Sequence, residues 1–178
     1  MLEAIRLDYD YDIFVNADYS VHSGSCIAHQ VHELKDIHER FGGFPDSYDM
    51  GNTLIRQLWW TKDQLDFEEL GKQLNMEVVT VSSILQPPGN IIPVHRDTFF
   101  QIKRAYPNDE RRKVRANIYL EDWSIGEIIQ YEKDNEWHNS THWKAGEGWI
   151  WDSNHLHLSA NAGMRDKYTL QVSGFYNR

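Results

Sequence analysis

Cysteine is almost missing from this chain. Cys26 is the only one, so no internal disulfide framework can form, and the pattern is that of a reducing compartment. Positive charge is scarce as well: 18 Lys and Arg stand against 27 Asp and Glu, a formal net charge of −9. A general electrostatic grip on nucleic acid or on an anionic membrane is not expected from that balance. No apolar run approaches the roughly 20 residues that span a bilayer. The opening Met1-Leu2-Glu3-Ala4-Ile5-Arg6 lacks a charged segment followed by an apolar one, so no signal peptide is expected. Internal repeats, low-complexity tracts and linkers are absent too. These absences leave a cytoplasmic, single-domain protein as the expectation for residues 1–178.

Aromatic residues are abundant, with 7 Trp, 9 Tyr and 7 Phe, which suits a β-rich fold around a walled pocket. In the flank 1–75, alternation over Tyr9–Val15 predicts an early strand, and Ile27–Phe41 reads as a helix ended by Gly42-Gly43. His29, His32 and His38 within it read as surface histidines, since no carboxylate or cysteine partner stands nearby. Thr61-Lys62-Asp63-Gln64 has the form of a capping box. With Phe67, Leu70 and Leu74 following at helical spacing, it predicts a helix over 62–74 packed on the outside of a sheet.

Residues 76–178 read as the core. Strands are predicted at Val78–Leu85, Ile91–Lys103, Val114–Leu120, Gly126–Tyr131, Trp137–Trp143, Gly148–Asp152, His155–Asn161 and Lys167–Phe175. Turns fall at Pro87-Pro88-Gly89-Asn90, Lys133-Asp134-Asn135 and Ala145-Gly146-Glu147. Eight strands at regular spacing point to a mainly β sandwich or jelly roll with flanking N-terminal helices.

Chemistry concentrates at Pro93-Val94-His95-Arg96-Asp97. A histidine and a carboxylate two residues apart on an extended segment point the same way. Together they fill only part of a metal's coordination sphere, and a third ligand is available in His155-Leu156-His157. Two histidines and a carboxylate on one face of an ion are the mark of a non-haem Fe(II) oxygenase site. His155 and His157 share a face. Lys167 lies ten residues beyond His157 across Gly163, which favours His157 as the ligand and leaves His155 at the rim. Asp152 reads as capping a turn or orienting a ligand. Lys167, Thr169, Gln171 and Ser173 line one face of the last strand. If that face looks inward, it offers a cation and hydrogen-bond donors to an acidic co-substrate, with Arg115 as a second, bidentate cation. Arg96, Arg104 and the run Arg111-Arg112-Lys113 read as solvated loop, and His138 and His142 are not a helical i,i+4 zinc pair, because Asn139-Ser140-Thr141 between them favours strand or turn. Trp123, Trp149 and Trp151 are candidates for core packing or pocket wall.

From about Ile84 to Phe175 the chain resembles the catalytic domain of the Fe(II)/2-oxoglutarate oxygenases, especially the aspartyl/asparaginyl β-hydroxylase-like branch. The resemblance rests on the stretches Leu85–Asp97, Arg115–Leu120, Trp143–Glu147 and Ile150–His157. It implies a double-stranded β-helix (a cupin-like jelly roll) in which His95, Asp97 and His157 hold Fe(II). In that family an aspartate-serine turn precedes the distal ligand, here Asp152-Ser153 before His157, and a basic residue ten positions later holds the far carboxylate of 2-oxoglutarate, here Lys167. Asn117 stands where a histidine touching the co-substrate is common. The implied activity is hydroxylation of a small-molecule or peptide substrate using 2-oxoglutarate and O2, with succinate and CO2 released. A non-catalytic cupin-like metal- or ligand-binding domain is the alternative, and Lys167 discriminates, because such a barrel has no need of a cation beside the metal pocket.

Overall fold

β-branched and aromatic residues alternate with polar ones through most of the chain, and the computed structural model is correspondingly built of strands. It describes residues 1–20, 23–25, 34–44 and 54–177. The N-terminal part contributes β1 (Leu2–Arg6), α1 (Asp12–Val15), β2 (Ser23–Ser25), α2 (Lys35–Arg40), β3 (Leu54–Trp60) and α3 (Phe67–Leu74). The remainder forms β4 (Met76–Gln86), β5 (Ile91–His95), α4 (Phe100–Ala105), β6 (Lys113–Tyr119) and β7 (Glu127–Lys133). β8 (Glu136–Ser140), β9 (Glu147–Asp152), β10 (His157–Asn161) and β11 (Lys167–Tyr176) complete it.

Two antiparallel sheets result, a larger one ordered β1-β9-β6-β11-β4-β3-β2 and a smaller one ordered β5-β10-β7-β8. From β4 onward the chain passes back and forth between them, and only the β7–β8 hairpin stays in one sheet. That alternation is the double-stranded β-helix, a jelly-roll architecture. β1 and β3 extend the larger sheet at its two sides, against β9 and β4.

Cross-strand partners share a face, and the two faces of the larger sheet differ sharply. Val81, Val114, Ala116, Ile118, Ile150, Leu170 and Val172 point away from the smaller sheet. They form the main apolar core with Leu7 and Phe14 and with Phe67, Leu70 and Leu74 of α3. The other face carries Lys167, Gln171, Arg115, Asn117, Tyr119, Trp149 and Trp151 in mutual register. Tyr119 donates its hydroxyl to Ser140 of the smaller sheet at 3.0 Å, so this polar face looks into the barrel.

Three local expectations need correction. Tyr9–Val15 is not a strand: Asp12–Val15 is a helical turn that buries Phe14 against Trp60, ring centroids 5.1 Å apart. The helix expected over 62–74 begins at Phe67, because Asp66 is the residue whose carboxylate accepts the Glu68 and Glu69 N–H groups. Thr61 and Gln64 make a separate turn, the Gln64 side-chain oxygen accepting from the Thr61 N–H and hydroxyl. The strand expected over 91–103 stops at His95 and gives way to α4. Of the Ile27–Phe41 helix, α2 is the described part; His29 and His32 lie outside the described residues, as does Cys26. No helix among the described residues is long and apolar enough to cross a membrane.

Leu170 sits fully buried on β11, with β4 and β6 on either side. Leu170→Ala is expected to lower the free energy of unfolding by about 2–5 kcal/mol in a urea titration, the transfer and cavity contributions of a core leucine.

Candidate metal centre

His95 ends β5 and lies directly opposite His157, which begins β10, so the sheet register alone brings the two imidazoles together. Their ring centroids are 4.2 Å apart. Asp97 follows in an irregular segment. Phe99, two residues on, has a left-handed backbone (φ 52°) that turns the chain into α4, and its buried ring packs with Ile102 and Phe175. Ligand atoms of His95, Asp97 and His157 all lie within 4.8 Å of one another. Among the described residues this is the one group of three or more His, Cys, Asp or Glu so arranged.

The donor set fits a divalent cation. His95 Nδ1 faces the Pro93 carbonyl at 2.8 Å, and His157 Nδ1 faces the His155 carbonyl at 3.1 Å. A carbonyl only accepts, so each imidazole carries its proton on Nδ1 and presents the Nε2 lone pair, the tautomer a metal requires. Burial keeps both rings neutral, lowering the pKa of His95 and taking that of His157 down to about 3. Burial would by itself raise the Asp97 carboxyl. Arg115 above all, with the two histidines and the Trp151 N–H, more than offsets this and holds it below the ordinary carboxylate value. Asp97 is only 3% exposed.

Lys167 is buried in the same interior. Its ammonium donates to Ser159 Oγ at 2.7 Å and to the Ile128 carbonyl at 2.9 Å, with Gln86 Oε1 and the Ala160 carbonyl at 3.4 Å. Burial drives its pKa down to about 7. Ser159 lies two residues from His157 on β10, which places the two ends of the site about 7 Å apart along the strand. Thr169 stands on β11 opposite Tyr119. Asn117 accepts from Gln171 Nε2 at 3.0 Å, and its own Nδ2, buried, has no partner among the described residues. Tyr119, Ile129 and Trp143 with Trp123 and Trp149 form an aromatic wall between the sheets.

Arg115 is in the interior but not in the role expected of a free bidentate cation: its Nη1 donates to Asp97. The neighbouring basic run has partners too. Arg111 pairs with Asp109 and Glu77, Arg112 with Asp152, and Lys113 donates to the Asp109 carbonyl. His38 is not a surface histidine; it is buried, with Nε2 3.1 Å from the Val94 carbonyl. Asp152 accepts from the Asn154 N–H and contacts His155 Nδ1 at 3.1 Å. Trp151 donates its indole N–H to Asp97 at 2.7 Å, a contact the sequence reading missed. The signal was there, since Trp151 and Arg115 are cross-strand partners and so share a face with each other.

No protein-family model matches the chain, and no curated protein matches it. Solved structures share its fold. The viral collagen prolyl hydroxylase of Paramecium bursaria Chlorella virus-1, in its 2OG complex, superposes with a TM-score of 0.59 at 13% identity, covering 99% of this chain and 96% of that one. A Pseudomonas putida prolyl-4-hydroxylase gives 0.52 at 18% identity, covering 94% and 99%. The non-heme alpha ketoglutarate dependent epimerase SnoN from nogalamycin biosynthesis gives 0.57 at 10% identity, covering 98% and 77%. At these identities the likeness is one of fold.

The buried neutral His157 makes stability depend on pH in mild acid. The unfolded chain protonates His157 near 6.5 and the folded chain only near 3, so between those values the unfolded state binds more protons and stability falls as pH falls. Urea midpoints measured between pH 7.5 and pH 4 are expected to drop through this window. His157→Gln should flatten the slope, by at most about 1.4 kcal/mol per pH unit.

Proposed function

We propose that the protein is an Fe(II)- and 2-oxoglutarate-dependent dioxygenase that hydroxylates a small molecule or a peptide side chain, with His95, Asp97 and His157 as the metal ligands. One observation carries the reading: the three-ligand cluster and a buried ammonium, Lys167, share one polar interior, the cluster including His157 at the start of β10 and the ammonium bonded to Ser159 two residues along that strand. Three ligands on one side leave open positions on the other. Bound there, iron(II), 2-oxoglutarate and O2 supply the oxidation itself, with succinate and CO2 released.

The chain's own residues do the remaining work. The neutral histidines and the ionised Asp97 hold the metal. Lys167 receives the far carboxylate of the keto diacid, exchanging its two 3.4 Å contacts for a charge-assisted hydrogen bond. Asn117 Nδ2 and the Thr169 hydroxyl add donors along the same face. Tyr119, Trp143 and Trp149 exclude water from between the sheets. Within the oxygenases, the stretches around Pro93–Asp97 and Asp152–His157 make the aspartyl/asparaginyl β-hydroxylase-like branch our proposed placement, with Lys167 in the manner of the collagen-type prolyl hydroxylases.

Succinate release from 2-oxoglutarate under Fe(II) and air tests the reading. His95→Ala is expected to abolish it, and Lys167→Ala to weaken co-substrate binding while sparing the metal. A protein that binds metal yet releases no succinate with any candidate substrate, and gains no thermal stability from 2-oxoglutarate, is the binding domain instead. Proton linkage gives a second measurement. The dianion needs the ammonium form of Lys167, which the empty pocket holds only up to about pH 7. Calorimetric affinity of the Mn(II)-loaded protein for 2-oxoglutarate should therefore be flat below pH 7 and fall above it, by at most about tenfold per pH unit. Lys167→Arg should remove that slope.

A further inference from the structure

Both His ligands are held by backbone carbonyls, but Asp97 lies two residues past the end of β5, where no ladder fixes it. Side chains fix it instead. Arg115 Nη1 donates to Asp97 Oδ1, and Trp151 Nε1 donates to Oδ2 at 2.7 Å. Arg115 is itself anchored, its Nε donating to Ser173 Oγ at 2.9 Å while its guanidinium lies 5.7 Å from the centre of the Phe99 ring. Ser173, Arg115 and Trp151 sit directly opposite one another on β11, β6 and β9. Two adjacent strands thus direct donors at a single carboxylate, and the third braces one of them.

We infer that Arg115 and Trp151 are positioning residues that clamp Asp97 in the orientation a metal ion needs, and that Arg115 serves the metal centre and not the carboxylates of the co-substrate. The inference rests on the metal reading above. Guanidinium grips a carboxylate through two parallel N–H groups along one edge. Nε is committed to Ser173 and Nη1 donates to Asp97, so the Nε edge is broken and the guanidinium is already turned to the metal-ligand carboxylate. The ionised Asp97 has about four lone-pair positions, and the clamp takes two, leaving two for a metal. Arg115 also cancels the buried negative charge, which would otherwise have a lone indole N–H to compensate it.

The test separates the two roles by measuring metal and co-substrate independently, in Arg115→Gln, Arg115→Lys, Trp151→Phe and His95→Ala. Anaerobic titration with Co(II), followed through its visible bands, gives the metal affinity. Calorimetry of metal-saturated protein with 2-oxoglutarate gives the second affinity. Arg115→Gln is expected to weaken Co(II) binding about ten- to a hundredfold and to alter the bands. Arg115→Lys should recover part of the loss, since an ammonium reaches Asp97 but cannot also hold Ser173. Co-substrate affinity at saturating metal should stay near that of the wild type. Should Arg115→Gln fail to fold, as judged by circular dichroism, Trp151→Phe carries the test, because it keeps the ring and removes only the donor. Wild-type Co(II) affinity in either variant, with His95→Ala abolishing binding, overturns the clamp and leaves the metal reading standing. Loss of 2-oxoglutarate binding with metal affinity intact makes Arg115 a co-substrate anchor and likewise overturns it. A folded wild-type protein that binds no Co(II) overturns the metal reading, and the clamp with it.

Discussion

A carboxylate that is 3% exposed cannot remain ionised unless something compensates its charge, and Asp97 is compensated on both oxygens. That requirement organises the interior. Arg115 must come from the strand beside β9, Trp151 from β9 itself, and Ser173 from the far side of Arg115 on β11. Each is an inward-facing position on a strand whose alternate residues are apolar and face the other way. A one-residue slip of β6 against β11 would put Val114 or Ala116 where Arg115 stands and send the cation into the apolar core. Register and ion pair therefore enforce each other.

Such an interior is a poor source of stability, and the fold obtains its stability elsewhere. Polar side chains fill much of the space between the two sheets, while the main apolar cluster lies behind the larger sheet, under α1, α3 and the segment around Leu7. This division explains why parts of the N-terminal flank are integral: Leu7, Phe14, Phe67, Leu70 and Leu74 bury the back of β4, β6, β9 and β11. The sheet is a partition with a hydrocarbon layer on one side and a hydrogen-bonded, aromatic-walled chamber on the other. Substitutions on the two sides are expected to differ in kind, those behind changing folding free energy and those within changing what the chamber binds.

The four central strands of this partition, β4, β6, β9 and β11, were legible from sequence through alternation between the two environments, as in Val114–Leu120, while β1, β2 and β3 were not. The convergence of His95, Asp97 and His157 was legible for a different reason, the rarity of the pattern His-x-Asp followed by a distal histidine and a lysine ten residues on. Failures came where tertiary contacts override local pattern. Tyr9–Val15 alternates like a strand, yet Asp12–Val15 closes a helical turn that buries Phe14 against Trp60. Gln64 does reach back to Thr61, but the helix waits for the carboxylate of Asp66. Arg115 looked like a free cation because a sequence does not say which acid is nearest in space. Its partner is only 18 positions away, across a helix that the strand reading of 91–103 concealed.

Charge accounting joins the two ends of the chamber. Arg115 and Asp97 cancel, both histidines are neutral, and Lys167 is poised near pH 7 by burial, so the interior carries little net charge by itself. On the proposed reading a divalent cation and a dianion enter this chamber, and each is expensive to bury alone. Together they cancel, one held by the three ligands and the other reaching Lys167. An interior already neutralised by Arg115 leaves the metal's double charge unspent, and a dianion is the species that matches it. On that reading the Arg115–Asp97 pairing is made before any ligand arrives, and the metal's charge stays available to what coordinates it.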